Sequence, residues 1–139
     1  MKTYNDVLAF QYKFGVLSQR GHPHFPTQDV LDFRIKFLQE ELDEYKKAVD
    51  ERNLPKAIDA LIDLTYVING TALLMGISPA CWEDCWDVVQ QKNMEKVRAS
   101  DANDPRSKRG HSLDVVKPVG WTPPDLLPIL QWFGYKGEE

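Results

Sequence analysis

The chain has 139 residues, 42% of them hydrophobic and 27% charged, and its 17 Lys+Arg against 21 Asp+Glu give a net charge of −4. That is one domain with material for one core, and the acidic balance argues against a large basic nucleic-acid surface while leaving room for a local basic cluster. No uninterrupted apolar run approaches the ~18 residues of a membrane span, and Met1 to Asp6 turns polar at once instead of opening a secretory stretch.

Helix signals fill the first part of the chain. A first helix is expected from about Asp6 to Leu17, with Val7, Leu8, Phe10, Phe14 and Leu17 on its apolar side. Arg20 to Pro26 holds two prolines and a glycine and reads as a loop. The second helix starts at Thr27 as N-cap and runs to about Glu51. The third follows Asn53, has Pro55 at an early position where a missing N–H costs nothing, and ends near Gly76. Ser78-Pro79 opens a fourth helix that runs to about Arg98. A polar loop with Arg106, Lys108 and Arg109 comes next, then a short extended segment within Leu113 to Lys117. Thr122-Pro123-Pro124-Asp125 caps a last helix that Pro128 keeps short or bent. The fold class is all-α, a bundle of about four main helices with an irregular C-terminal tail. Residues 1–99 form the helical core. Residues 100–139, with five of the nine prolines, form a loop-rich extension packing on the core or on a neighbouring subunit.

Cys81 and Cys85 lie four apart on the fourth helix and no second pair stands out for zinc. They read as reduced, half-buried thiols of a cytoplasmic protein.

The carboxylates carry the functional signal. At about 100° per residue, Asp32, Lys36, Gln39, Asp43, Lys46, Lys47 and Asp50 share the solvent arc of the second helix. Glu41 and Glu44 fall instead in register with Val30, Phe33, Phe37 and Ala48, and Glu40 sits at the edge of that stripe. The third helix is apolar nearly all round and is expected to be buried on most sides. Its acids from Ala57 to Met75 are Asp59 and Asp63, four apart on one face that Tyr66 and Gly70 continue. Burying isolated carboxylates costs several kcal/mol, and crowding like charges costs more. Arg34 and Lys56 are the only cations at hand, so a divalent cation is the economical answer. Oxygen-only ligands on helices suit Mg²⁺ or Mn²⁺. A di-iron bundle would need Glu-x-x-His on its helices, whereas His22, His24 and His111 all stand in loops.

Glu40-Glu41-Leu42-Asp43-Glu44 resembles the EExxE motif of the all-α nucleoside triphosphate pyrophosphohydrolases, the MazG-like superfamily. Asp59 to Gly70 is similar to the second acid motif of that superfamily. Gly76-Ile77, Gln91 to Val97 and Val116 to Asp125 look like its phage-type branch. The resemblance covers roughly Asp6 to Leu126. One departure is that many members carry ExxD, whereas Ala60 stands three before Asp63 and Asp59 four before. Asp63 is therefore the safer ligand, and Asp59 either ligates or supports from behind.

The resemblance implies Mg²⁺- or Mn²⁺-dependent cleavage of a nucleoside triphosphate to monophosphate and pyrophosphate, with two or more ions per site. It also implies a dimer or dimer-of-dimers and, for a phage-encoded chain, the host cytoplasm. Neither nucleic acid nor membrane is an expected partner. Metal would be held by Glu41, Glu44 and Asp63, with Asp59 beside them, and Glu40 or an acid released from ligation is the candidate general base. No Gly-x-x-x-x-Gly-Lys cradle is present, so side chains and metal must hold the phosphates. Trp82, Cys85, Trp86, Val89, Asn93 and Lys96 share one face of the fourth helix. Lys96 is expected to meet the phosphates and Asn93 to orient them or the sugar, with Lys92 at the edge of that face. Lys108, Arg109 and Lys117 are candidates to close over the triphosphate. Trp121, Phe10, Phe14 and Phe25 are candidates for a base-stacking wall, and Tyr66 for contact with the substrate. A guanosine or deoxyguanosine nucleotide is one candidate substrate, although no residue pattern selects guanine. The alternative is a non-catalytic oligomerisation, regulatory or nucleotide-sensing module on the same scaffold.

Overall fold

The computed structural model describes residues 1–137. Five helices, α1 (Lys2–Phe14), α2 (Gln28–Asp50), α3 (Leu54–Leu74), α4 (Pro79–Met94) and α5 (Leu127–Trp132), accompany a ladder of β1 (Val97–Arg98) and β2 (Val115–Val116). The four long helices and the irregular C-terminal region match the expected all-α class. The last two residues of the expected extension, 138 and 139, lie outside the described residues.

Local chemistry sets both ends of α3 and the start of α4. The Asn53 side chain accepts from the Lys56 amide at 3.1 Å and Ser78 Oγ accepts from the Cys81 amide at 3.2 Å, each with proline in the first turn. At the end of α3 the Ile77 amide returns to the Ala72 carbonyl at 3.1 Å and the Gly76 amide to Leu73 at 3.0 Å. This is a Schellman stop with Gly76 at φ 75°. A Cβ on Gly76 would sit 2.0 Å from the His22 carbonyl oxygen, so glycine is required there for space as well as for φ.

Three boundaries differ from the sequence expectation. α1 spans Lys2–Phe14 and not Asp6 to Leu17, because Gly15 turns left-handed at φ 67° and a Lys2–Asp6 ion pair of 2.7 Å spans its first turn. α4 stops at Met94 and not at Arg98. Val97 and Arg98 leave it to pair antiparallel with Val116 and Val115, and the Trp121 indole N–H takes the Lys92 carbonyl at 2.9 Å. The last helix starts at Leu127, where Pro128 occupies the first turn and does not interrupt anything; Asp125 Oδ1 accepts from the Leu127 amide at 3.1 Å.

The core is small. Tyr4, Val7, Ala72 and Leu73 are buried together, with Leu8, Ile77 and Trp82 packed on them. Tyr4 stacks on Trp82 at 4.9 Å and its hydroxyl donates to the Ile77 carbonyl at 2.5 Å, which locks α1 to the α3–α4 junction. Emptying such an aromatic site costs about 3–5 kcal/mol. α3 packs chiefly on α2 and also on α1, while α5 packs on α4.

The expectation that α3 is buried on most sides is overturned within one chain. Leu54, Ile58, Leu61, Ile62 and Ile68 are exposed, as are Phe33, Ile35 and Leu42 of α2. Among the described residues α3 is the one helix long and apolar enough to cross a membrane, with mean hydropathy 1.4. Asp59 and Asp63 interrupt its apolar run. Its packing against α1 and α2 accounts for the apolarity on that side.

Both cysteines are free, and burial pushes the Cys81 thiol up to about 12 and raises Cys85 as well. Iodoacetamide at pH 8 should therefore leave native Cys81 unmodified over hours and alkylate it rapidly in denaturant, as mass spectrometry would read.

Candidate active site

The packing of α2 on α3 decides which acids meet. Glu41, Glu44 and Asp63 each offer a carboxylate oxygen, and the three oxygens lie within 4.8 Å of one another. Glu41 and Asp63 are half-buried and Glu44 is exposed. Glu41 Oε2 is buried without any hydrogen-bond partner among the described residues. Burial first, then the charges of Glu44 and Asp63, raise the Glu41 carboxyl above the usual range. Burial raises Asp63 too, followed by the charges of Asp59 and Glu44.

The nearby cations do not answer this charge. Arg34 Nε donates to Thr71 Oγ1 at 3.1 Å and its terminal nitrogen donates to the Val67 carbonyl at 3.0 Å. Its guanidinium also lies 5.5 and 5.2 Å from the Phe33 and Phe37 ring centroids. Gly70 makes room for it, since a Cβ there would stand 2.7 Å from that nitrogen. Arg34 thus serves the α3 backbone. Among the described residues no Lys or Arg, Lys56 included, forms an ion pair with the three acids. Three carboxylates, one of them with an orphaned buried oxygen, fit a divalent cation of the Mg²⁺ or Mn²⁺ type.

The other expected acids stand outside this group. Asp59 is exposed and acts on Asp63 through its charge. Glu40 is exposed and, with Lys36, Asp43, Glu44 and Lys47, lines an open depression on α2. Tyr66 packs edge-on against Phe10 at 5.3 Å, and Phe10 against Phe14 at 4.7 Å.

A second group forms past the end of α4. The ladder places Val97 opposite Val116, so Lys96 and Lys117 face each other one step further out. Each ammonium lies 5.2 Å from the centroid of the Trp121 ring. Lys92 Nζ donates to Thr122 Oγ1 at 3.1 Å and pairs with Glu95 at 3.4 Å. Asn93 ends the same helix, exposed, and its carbonyl accepts from the Lys96 amide at 3.1 Å. Lys96 is therefore a turn residue and not part of the helical face assumed from periodicity. Trp121 belongs to this corner, not to the Phe10–Phe14–Tyr66 group. α4 packs mainly on α5, so the ammonium corner and the acid cluster belong to different helix pairs of the chain.

The Arg109 guanidinium is tied to the Asp114 carboxylate. Arg106 is likewise held by Asp104 at 2.9 Å. Sequence reading missed both carboxylates, although Asp104-Pro105-Arg106 and Arg109 to Asp114 have the short spacings of turn-closing pairs. His22 and His24 line a cavity of ≈ 380 Å³ between the α1–α2 loop and the C-terminal residues, away from the acids.

The fold and the cluster define an all-α protein with an oxygen-donor centre on a helix pair. Residues 9–93, more than half of the chain, match the phosphoribosyl-ATP pyrophosphohydrolase family, and the chain belongs to that family. The MazG-like resemblance read from the motifs is borne out at this level, and the family makes the chain a nucleotide pyrophosphohydrolase-type hydrolase acting on phosphoric anhydrides. The matched stretch includes Glu41, Glu44 and Asp63 and ends before Lys96. No curated protein matches the chain.

Proposed function

We propose that this chain is a metal-dependent nucleoside triphosphate pyrophosphohydrolase that cleaves the α–β anhydride of a ribo- or deoxyribonucleoside triphosphate. The products are the nucleoside monophosphate and pyrophosphate. The observation that carries this reading is the convergence of Glu41, Glu44 and Asp63, with Glu41 Oε2 buried and without a hydrogen-bond partner among the described residues. These three would hold Mg²⁺ or Mn²⁺, with Asp59 supporting Asp63 from one turn away. When bound, the cation would neutralise polyphosphate charge and make a nearby water more acidic. Glu40, exposed at the rim, accepts the proton of the attacking water. Lys96 and Lys117, with Lys92 and Asn93 beside them, bind phosphate oxygens, and Trp121 and Tyr66 offer flat surfaces to base or sugar. Residues 1–99 then act as the catalytic core, and residues 100–139 as the extension that carries Lys117 and Trp121.

The unit also self-associates in this reading. The chain exposes 9975 Å², whereas a compact monomer of 16.0 kDa exposes roughly 7,400 Å². A second copy covering the apolar sides of α2 and α3 accounts for the excess.

A panel of the eight common ribo- and deoxyribonucleoside triphosphates, with guanosine diphosphates added, tests the activity. With Mg²⁺ or Mn²⁺ present, pyrophosphate and not orthophosphate should leave at least one triphosphate. Binding without product would instead mark a sensor. Thermal stability should rise with free metal, by about 2.7 kcal/mol at one hundred times Kd; a flat titration overturns the metal centre.

A further inference from the structure

Two ammonium groups facing each other across a ladder of two residue pairs need something to hold them there. A two-stranded ribbon this short is weak on its own, and like charges directly opposite weaken it further. The chain between the strands supplies the restraint. The Asp114 carbonyl accepts from the Ala99 amide at 2.8 Å and extends the ladder by one bond. The Asp114 carboxylate then closes the strand start: Oδ1 accepts from the Val115 amide at 2.9 Å and from the Arg109 guanidinium, and Oδ2 accepts from Ser107 Oγ at 2.7 Å. Asp104 does the same for the opposite turn, accepting from the Ser100 amide at 3.0 Å and from the Arg106 amide at 3.0 Å. Both aspartates are buried, in a tail whose other charged residues are mostly exposed. The Arg109 guanidinium holds the Asp114 carboxyl well below the usual range, at about 2, so this staple stays ionised across the working pH range.

We propose that Asp114 is a positioning residue for polyphosphate binding, whose buried carboxylate fixes the β1–β2 register and so sets Lys117 opposite Lys96 over the Trp121 ring. It touches no substrate and acts through Lys117. The proposal rests on the pyrophosphohydrolase reading and adds to it a pincer that is preformed before substrate arrives.

The test is a double-mutant cycle in the full chain, with KM, kcat and thermal stability measured on the best triphosphate. Asp114→Asn keeps the shape and loses the charge-assisted bonds, and Lys117→Ala removes the group it positions. Each single variant should raise KM by about tenfold with kcat changed less than about threefold, and the double variant should match Lys117→Ala alone. Effects on KM that multiply overturn the proposal, and so does an Asp114→Asn protein that loses stability with KM unchanged. Ser107→Ala, which removes the bond to Asp114 together with those that Ser107 Oγ accepts from the Gly110 and His111 amides at 3.1 and 3.4 Å, serves if Asp114→Asn does not fold. It should raise KM about two- to fourfold in the wild-type background and leave it unchanged beside Lys117→Ala. A wild type that releases no pyrophosphate from any triphosphate overturns the functional reading separately. The same cycle is then read as Kd for inorganic tripolyphosphate by calorimetry, where additivity again overturns the positioning role.

Discussion

Glu41→Gln should abolish pyrophosphate release while making the metal-free protein more stable. Turnover is expected to fall on the order of 10³-fold, equivalent to about 4 kcal/mol of transition-state stabilisation, because the variant loses the carboxylate whose Oε2 has no other partner among the described residues. The stability gain comes from the same electrostatics. The raised Glu41 and Asp63 carboxyls mean that the native state binds protons more tightly than the unfolded chain. Stability from these two groups is therefore fully present below their ordinary values of 4.5 and 3.8 and is lost as pH rises through their folded values. At neutral pH without metal, three acids repel one another, and neutralising one relieves roughly 1 kcal/mol, or about 2–5 °C in Tm. The variant should also show a flatter decline of Tm as pH rises above the ordinary Glu41 value of 4.5 and a smaller rise on adding Mg²⁺. Asp32→Asn, on the solvent arc of α2 beside Gln28, should change neither turnover nor metal response. A Glu41→Gln protein that is active, or less stable without metal, removes the cluster from the chemistry.

How far the site was legible follows from what helical periodicity can and cannot encode. Glu41 and Glu44 were legible because a 3.6-residue repeat puts them on an apolar arc of a helix that already has a polar face opposite, and Asp63 because it stands on a helix that is apolar nearly all round. The same helices also carried Glu40 and Asp59, and an angle around one axis says nothing about which carboxylate points at the neighbouring helix. The structure separates them: Glu40 and Asp59 stay exposed while Glu41 and Asp63 are half-buried. Caps at Asn53 and Ser78 and the stop at Gly76 were legible because each is local. The β1–β2 pairing was not, since Val97 finds Val116 across a loop that no periodicity spans. Arg109 looked like a free cation for the same reason, and its partner Asp114 is fixed by a fold of the loop, not by a repeat.

The apolar sides of α2 and α3 mark a further limit of one-dimensional reading: hydrophobicity says that a face is covered, not by which chain. Ile62 is 58% exposed and Leu54 70% exposed on α3, with Ile58 and Leu61 beside them, on the helix that carries Asp63. The surface in excess of a compact monomer is ~2,600 Å² per chain, or ~5,200 Å² over two copies, at the upper end of the roughly 2,000–5,000 Å² that obligate dimers bury in total. Ile62→Asp should therefore split the assembly. Light scattering of the wild type should give twice the 16.0 kDa chain mass or more, and the variant should give the chain mass at micromolar concentration. A carboxylate forced unpaired into such an interface costs several kcal/mol, and about 4 kcal/mol weakens association on the order of 10³-fold. Turnover should fall with dissociation, because the helix pair holding Glu41, Glu44 and Asp63 would then be wetted on its apolar side. Tm of the wild type should also rise with protein concentration and that of the variant should not, since association stabilises only the folded chain. A wild type that runs at 16.0 kDa, with a concentration-independent Tm, would show that the α2–α3 pair holds its acids in place unaided.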